Sequence, residues 1–69
     1  MVATIATLRA TAAAKAYRVE RSFSPDKWRL IDLWSGNFAV GPRGTPSFSV
    51  AEAINYLRRC PDRPATKPF

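Results

Sequence analysis

The sequence predicts an α+β domain: a three-stranded antiparallel meander packed by one C-terminal helix, β-β-β-α, with an extra N-terminal helix or arm ahead of it. Three observations predict this. Residues 17–23 alternate, and residues 28–34 are rich in aromatic and β-branched side chains, both marks of strands. Turn-forming clusters follow each of them, at 24–27 and 35–37. Residues 49–59 then change to a helical period behind a capping motif.

The N-terminal segment is the least regular. Val2, Ile5, Leu8 and Ala12 recur at helical spacing in an Ala-rich stretch, which favours helix. Thr4, Thr7 and Thr11 are β-branched and lower that propensity. Residues 1–16 therefore read as a weak helix or a mobile arm. They carry Arg9 and Lys15 and no acid, a composition similar to that of an organelle transit segment.

Along 17–23, Tyr17, Val19 and Phe23 point one way, and Arg18, Glu20 and Ser22 the other. Arg21 falls on the apolar side, which suits a strand near an edge where its stem can snorkel. Ser24-Pro25-Asp26-Lys27 is a turn. In the second strand, Trp28, Leu30, Asp32 and Trp34 share one face, and Arg29, Ile31 and Leu33 the other. Both faces carry large apolar groups, and one helix covers only one of them. Either the N-terminal segment covers the second face, or it stays exposed for a partner.

Ser35-Gly36-Asn37 closes a hairpin to a short third strand, 38–40. Gly41-Pro42-Arg43-Gly44-Thr45-Pro46 is a loop, since proline and glycine bar both helix and central strand. Ser49 and Glu52 form an S-x-x-E capping box, and Phe48 can staple against Ala53. Val50, Ala53, Ile54 and Leu57 make one apolar stripe. Arg58 and Arg59 suit the helix C-terminus, and Pro61 stops the helix. Residues 61–69 read as a flexible, proline-rich, basic tail. The 69 residues thus make a single domain, with a folded core over 17–60.

The chemistry-bearing residues are few. Histidine is absent, which removes the usual general base and the commonest metal ligand. The single cysteine, Cys60, builds neither a zinc site nor an internal disulfide. It points to a reducing compartment, and the expected location is cytoplasmic. There is no Walker or dinucleotide-binding loop and no apolar run of transmembrane length. Glu20 and Asp32 lie on adjacent expected strands. Such a pair serves a two-carboxylate hydrolase only in a cleft, and acids beside Arg18, Arg21 and Arg29 read as cross-strand partners. Pro61-x-x-Pro64 beside Arg63 has the form of a polyproline ligand. The expectation is a non-enzymatic binding protein without cofactor or metal.

Eleven Lys and Arg against five acids give a net charge of +6. That balance favours an anionic partner, nucleic acid or an acidic protein surface, or serves solubility alone. Tyr17-Arg18-Val19, Lys27-Trp28, Val40-Gly41 and Phe48-Ser49-Val50-Ala51-Glu52-Ala53 together resemble the plant ethylene-response-type DNA-binding domain and the arm-binding domain of phage integrases. Those are three-stranded sheets backed by one helix, with the sheet inserted into the major groove. The resemblance covers 17–59. It implies that Arg18, Arg21 and Arg29 contact phosphates or guanine edges.

Two functions follow as expectations. In the first, a nucleic-acid-binding accessory or regulatory module uses Arg18, Arg21, Lys27, Arg29 and Arg43, with Arg9, Lys15, Arg63 and Lys67 as arms. In the second, a small inhibitor or adaptor of the phage or mobile-element type binds protein through Trp34, Phe38 and an open strand edge. A continuous basic face favours the first; arginines ringing an exposed aromatic patch favour the second.

Overall fold

Thr4 starts the first element. Its Oγ1 accepts the Thr7 N–H at 3.2 Å, and helix α1 runs over Ile5–Ala14. The threonines that weaken the helix in isolation are absorbed locally: Thr11 Oγ1 donates to the Thr7 carbonyl at 2.9 Å. Leu8 and Ala12 are buried against the rest of the molecule, and that packing carries the helix past its modest propensity. The computed structural model describes residues 4–24 and 26–67. Val2 of the expected helical stripe, Pro25 of the first turn and the last two residues of the tail lie outside the described residues.

Helix α1 ends abruptly. Ala16 takes φ 60°, the left-handed conformation that closes many helices and usually falls to glycine. It is fully buried, and its carbonyl accepts the Leu33 N–H at 2.9 Å. The chain thereby folds straight back into strand β1, Tyr17–Arg21. Strand β2, Trp28–Asp32, pairs with it antiparallel. The register sets Tyr17 opposite Asp32, Val19 opposite Leu30 and Arg21 opposite Trp28 on one face. Arg18 opposite Ile31 and Glu20 opposite Arg29 occupy the other.

Among the described residues the sheet has two strands, and the expected three-stranded β-β-β-α meander is corrected to helix–hairpin–helix. Residues 38–40 meet β2 only through a bridge of Phe38 to Ile31 and the Ala39 N–H on the Leu30 carbonyl at 2.8 Å. The chain then leaves the sheet at Gly41, whose N–H bonds Thr45 O at 2.7 Å. A side chain at Gly41 would meet the Ser47 carbonyl at 2.8 Å, so the excursion is pinched too tightly for any other residue. The chain returns at Phe48, which exchanges two backbone hydrogen bonds with Trp28 at 2.8 and 2.9 Å. The loop thus cuts the third strand into two isolated contacts, and no continuous ladder forms.

Helix α2, Val50–Arg58, follows the capping box as read from the sequence. Glu52 N–H donates to Ser49 Oγ at 3.2 Å, and the Ser49 N–H returns to Glu52 Oε1 at 2.9 Å. Both helices pack on the same side of the hairpin. Leu8, Ala12, Trp28, Leu30, Ala39, Phe48, Ala53, Ile54 and Leu57 form one core. No helix covers the opposite face of the hairpin among the described residues.

The proline-rich segment after α2 runs back along the end of the hairpin. The Arg63 N–H donates to Ala14 O at 3.2 Å, and its Nε donates to Lys15 O at 2.8 Å. A terminal guanidinium nitrogen reaches Asp32 Oδ1 at 2.7 Å, and the guanidinium carbon sits 4.6 Å from the Trp34 ring centroid.

Candidate functional site

The bare sheet face follows from the pleat. Arg18 and Glu20 of β1, and Arg29 and Ile31 of β2, point away from the helices because their strand neighbours point into the core, although Ile31 itself is buried at 8% exposure. The bridge to Ile31 brings Phe38 onto this face. Ala39 is buried and Val40 returns outward, so Phe38 and Val40 flank the strand together. Leu33, Phe38 and Val40 are 44%, 49% and 59% exposed. Large apolar side chains grouped on one open face mark interaction sites more often than scattered ones do.

Charge surrounds this apolar centre. The Arg29 guanidinium lies 5.4 Å from the Phe38 ring centroid, in cation–π range. Arg29 reaches Glu20 at 3.5 Å, while Arg18 holds the other Glu20 oxygen at 2.7 Å. The Nε of Arg29 is buried and has no acceptor among the described residues. Such a donor is uncommon in a folded protein, and here it lies at the rim of the apolar patch.

The expected nucleic-acid residues separate in space. Arg18 and Arg29 share Glu20 on the outer face. Arg21 points to the opposite face, 5.4 Å from the Trp28 ring. Lys27 closes the hairpin turn through its backbone, its N–H on Ser24 O at 3.0 Å. Arg43 is held by both Glu52 oxygens at 2.9 and 3.1 Å, on the far side of the loop. Glu20, opposite Arg29, and Asp32, opposite Tyr17, stand three register positions apart on opposite faces and make no carboxylate pair.

The two expected protein-interface residues also part. Phe38 lies on the open face. Trp34 is half-buried, its indole N–H on the Pro64 carbonyl at 2.9 Å, beneath Arg63. Leu33 and Val40 are further exposed apolar residues that the local sequence pattern does not single out. Leu33 lies just beyond β2, in the turn over 33–35, with its N–H on the Ala16 carbonyl.

The titrating groups mark the structural ion pairs. Burial alone would raise the Asp32 carboxyl, but the Trp34 N–H and the Arg63 guanidinium outweigh it and hold the group below its ordinary value. The Ser49 N–H first, and Arg43 after it, lower Glu52 despite some desolvation. Burial, then the adjacent Tyr56, raise the Tyr17 phenol, whose ring meets that of Tyr56 edge-on at 6.1 Å. A groove of about 220 Å³ lies between Pro42, Phe48, Glu52, Tyr56 and Arg59, smaller than the roughly 300–1,000 Å³ of small-molecule sites.

Among the described residues, no three His, Cys, Asp or Glu side chains come together to hold a metal ion, and no helix is long and apolar enough to cross a membrane. Comparison with family models, characterised proteins and solved structures gave no match.

Proposed function

We propose that the chain is a non-enzymatic protein-binding module that docks through the open sheet face, with Phe38, Leu33 and Val40 at the centre and Arg29 and Arg18 at the rim. One observation carries this reading: Arg29 stacks on the exposed Phe38 and, with Arg18, is already tied to Glu20, while Arg21 lies on the other face, so the sheet arginines form no continuous basic stripe. An apolar centre with an arginine rim is the composition of a binding hot spot. Arg29 contributes through its stacking on Phe38, which holds the guanidinium beside the apolar centre.

The competing function is binding to nucleic acid, which the net charge of +6 favours. Titration of Trp fluorescence with short duplex and single-stranded DNA, at several salt concentrations, separates the two. The protein-binding reading predicts weak binding, and a shallow salt dependence that Arg18→Ala and Arg29→Ala leave unchanged. Engagement of about five phosphates would instead give a log–log slope near −4 to −5. That slope, lost in the two variants, would overturn the reading.

A further inference from the structure

Among the described residues strand β1 has one neighbour, β2. Ala16 O and Ser22 N–H, at its two ends, both bond across to the β2 side, to Leu33 N and Lys27 O at 2.9 and 3.1 Å. By the two-residue period, the backbone groups of Arg18 and Glu20 also face β2, and those of Tyr17, Val19 and Arg21 face outward. Among the described residues no backbone group bonds to Tyr17, Val19 or Arg21 on that outer side. This is an open template for another strand.

The sequence of that edge is its own complement. Pairing Tyr17-Arg18-Val19-Glu20-Arg21 antiparallel with itself about Val19 sets Arg18 of each copy opposite Glu20 of the other. It also sets Tyr17 opposite Arg21, and Val19 opposite Val19. The outward-facing backbone groups are those this register requires, since Val19 and the Tyr17–Arg21 pairs fall at hydrogen-bonded positions. The charged pair falls on the open face, where Arg18 and Glu20 now satisfy each other within one chain at 2.7 Å.

Helix α1 carries a second, independent sign. Leu8 and Ala12 face the core, and the exposed side presents Ala6, Ala10 and Ala13 at helical spacing beside Arg9, a stripe of small residues with one charge at its margin. Pairing at β1 sets both copies of α1 on one side of a joined four-stranded sheet, about the two-fold axis. Small side chains allow such helices to approach closely. Val19, half-buried although it points to the helix side, shows that α1 does not close over the edge.

We infer that the chain forms a symmetric dimer through the β1 edge, with the α1 alanine stripe packed across the axis. This goes beyond the proposed docking face, which the joined sheet would present twice. Sedimentation equilibrium of the full chain, from low to high micromolar, tests it. The expected result is a monomer–dimer equilibrium, weakened at least ~10-fold by Arg18→Glu, which sets like charges opposite each other twice. Ala10→Glu, at an exposed helical position, should weaken it as well while far-UV circular dichroism stays unchanged. Phe38→Ser should leave it intact, which separates failure of the dimer from failure of the docking face. A monomer throughout the range, or a dimer indifferent to both Arg18→Glu and Ala10→Glu, would overturn the inference.

Discussion

Arg63 joins three parts of the molecule that are distant in sequence. Its Nε bonds the end of α1 at Lys15 O, its terminal nitrogen bonds Asp32 at the end of β2, and its plane lies over Trp34 and Tyr17. The fork geometry of arginine makes both bonds at once, which a lysine ammonium cannot. Arg63→Ala should cost about 2 kcal/mol in chemical denaturation, since it removes two hydrogen bonds, one of them charge-assisted. Arg63→Lys should recover less than half. The same pair sets an acid response. Asp32 titrates below its ordinary value when folded, so its contribution is present above the usual carboxylate range near pH ~4 and is lost as pH falls through the folded value. Thermal melts of wild type should weaken in that window, and those of Arg63→Ala should weaken less.

At the scale of elements, local signals were legible and interrupted ones were not. Helix α2 was readable because its cap, its stripe and its stop all lie within a dozen residues, and the Ser49–Glu52 box formed as written. The hairpin β1–β2 was readable from alternation, although both strands end earlier than their apolar pattern does. The third strand was misread because pairing along 38–40 depends on what the chain does afterwards. The excursion at Gly41 withdraws the rest of the segment before a ladder can extend. The tail contacts of Arg63 span 31 and 48 residues, and a run of Pro-Asp-Arg-Pro carries no local sign of them. Gly41→Ala should therefore destabilise by roughly 1–3 kcal/mol, because its new methyl meets backbone carbonyls that cannot move aside cheaply. Ser49→Ala should cost about 1 kcal/mol through loss of the cap. Equilibrium urea unfolding of the two variants checks both.

For the whole molecule, both helices sit on one face of a narrow hairpin, and the other face is left open. The sequence held both outcomes for that face, since Arg29-Ile31-Leu33 is as apolar as a core stripe. Residues near 5–14 go to the same side as α2, and only the tertiary arrangement reveals this. Glu20 then offsets one of the two positive charges of Arg18 and Arg29 on that face, while the apolar Phe38 group remains outward. This open face is the proposed protein-binding surface. A photoreactive phenylalanine analogue at position 38, irradiated in extract of the source cell with and without nuclease, tests it most directly, with the analogue at exposed position 51 of α2 as the reference. The expected result is a discrete protein adduct from position 38, unaffected by nuclease and absent from the reference position. No adduct from position 38, or one that nuclease removes, would contradict it.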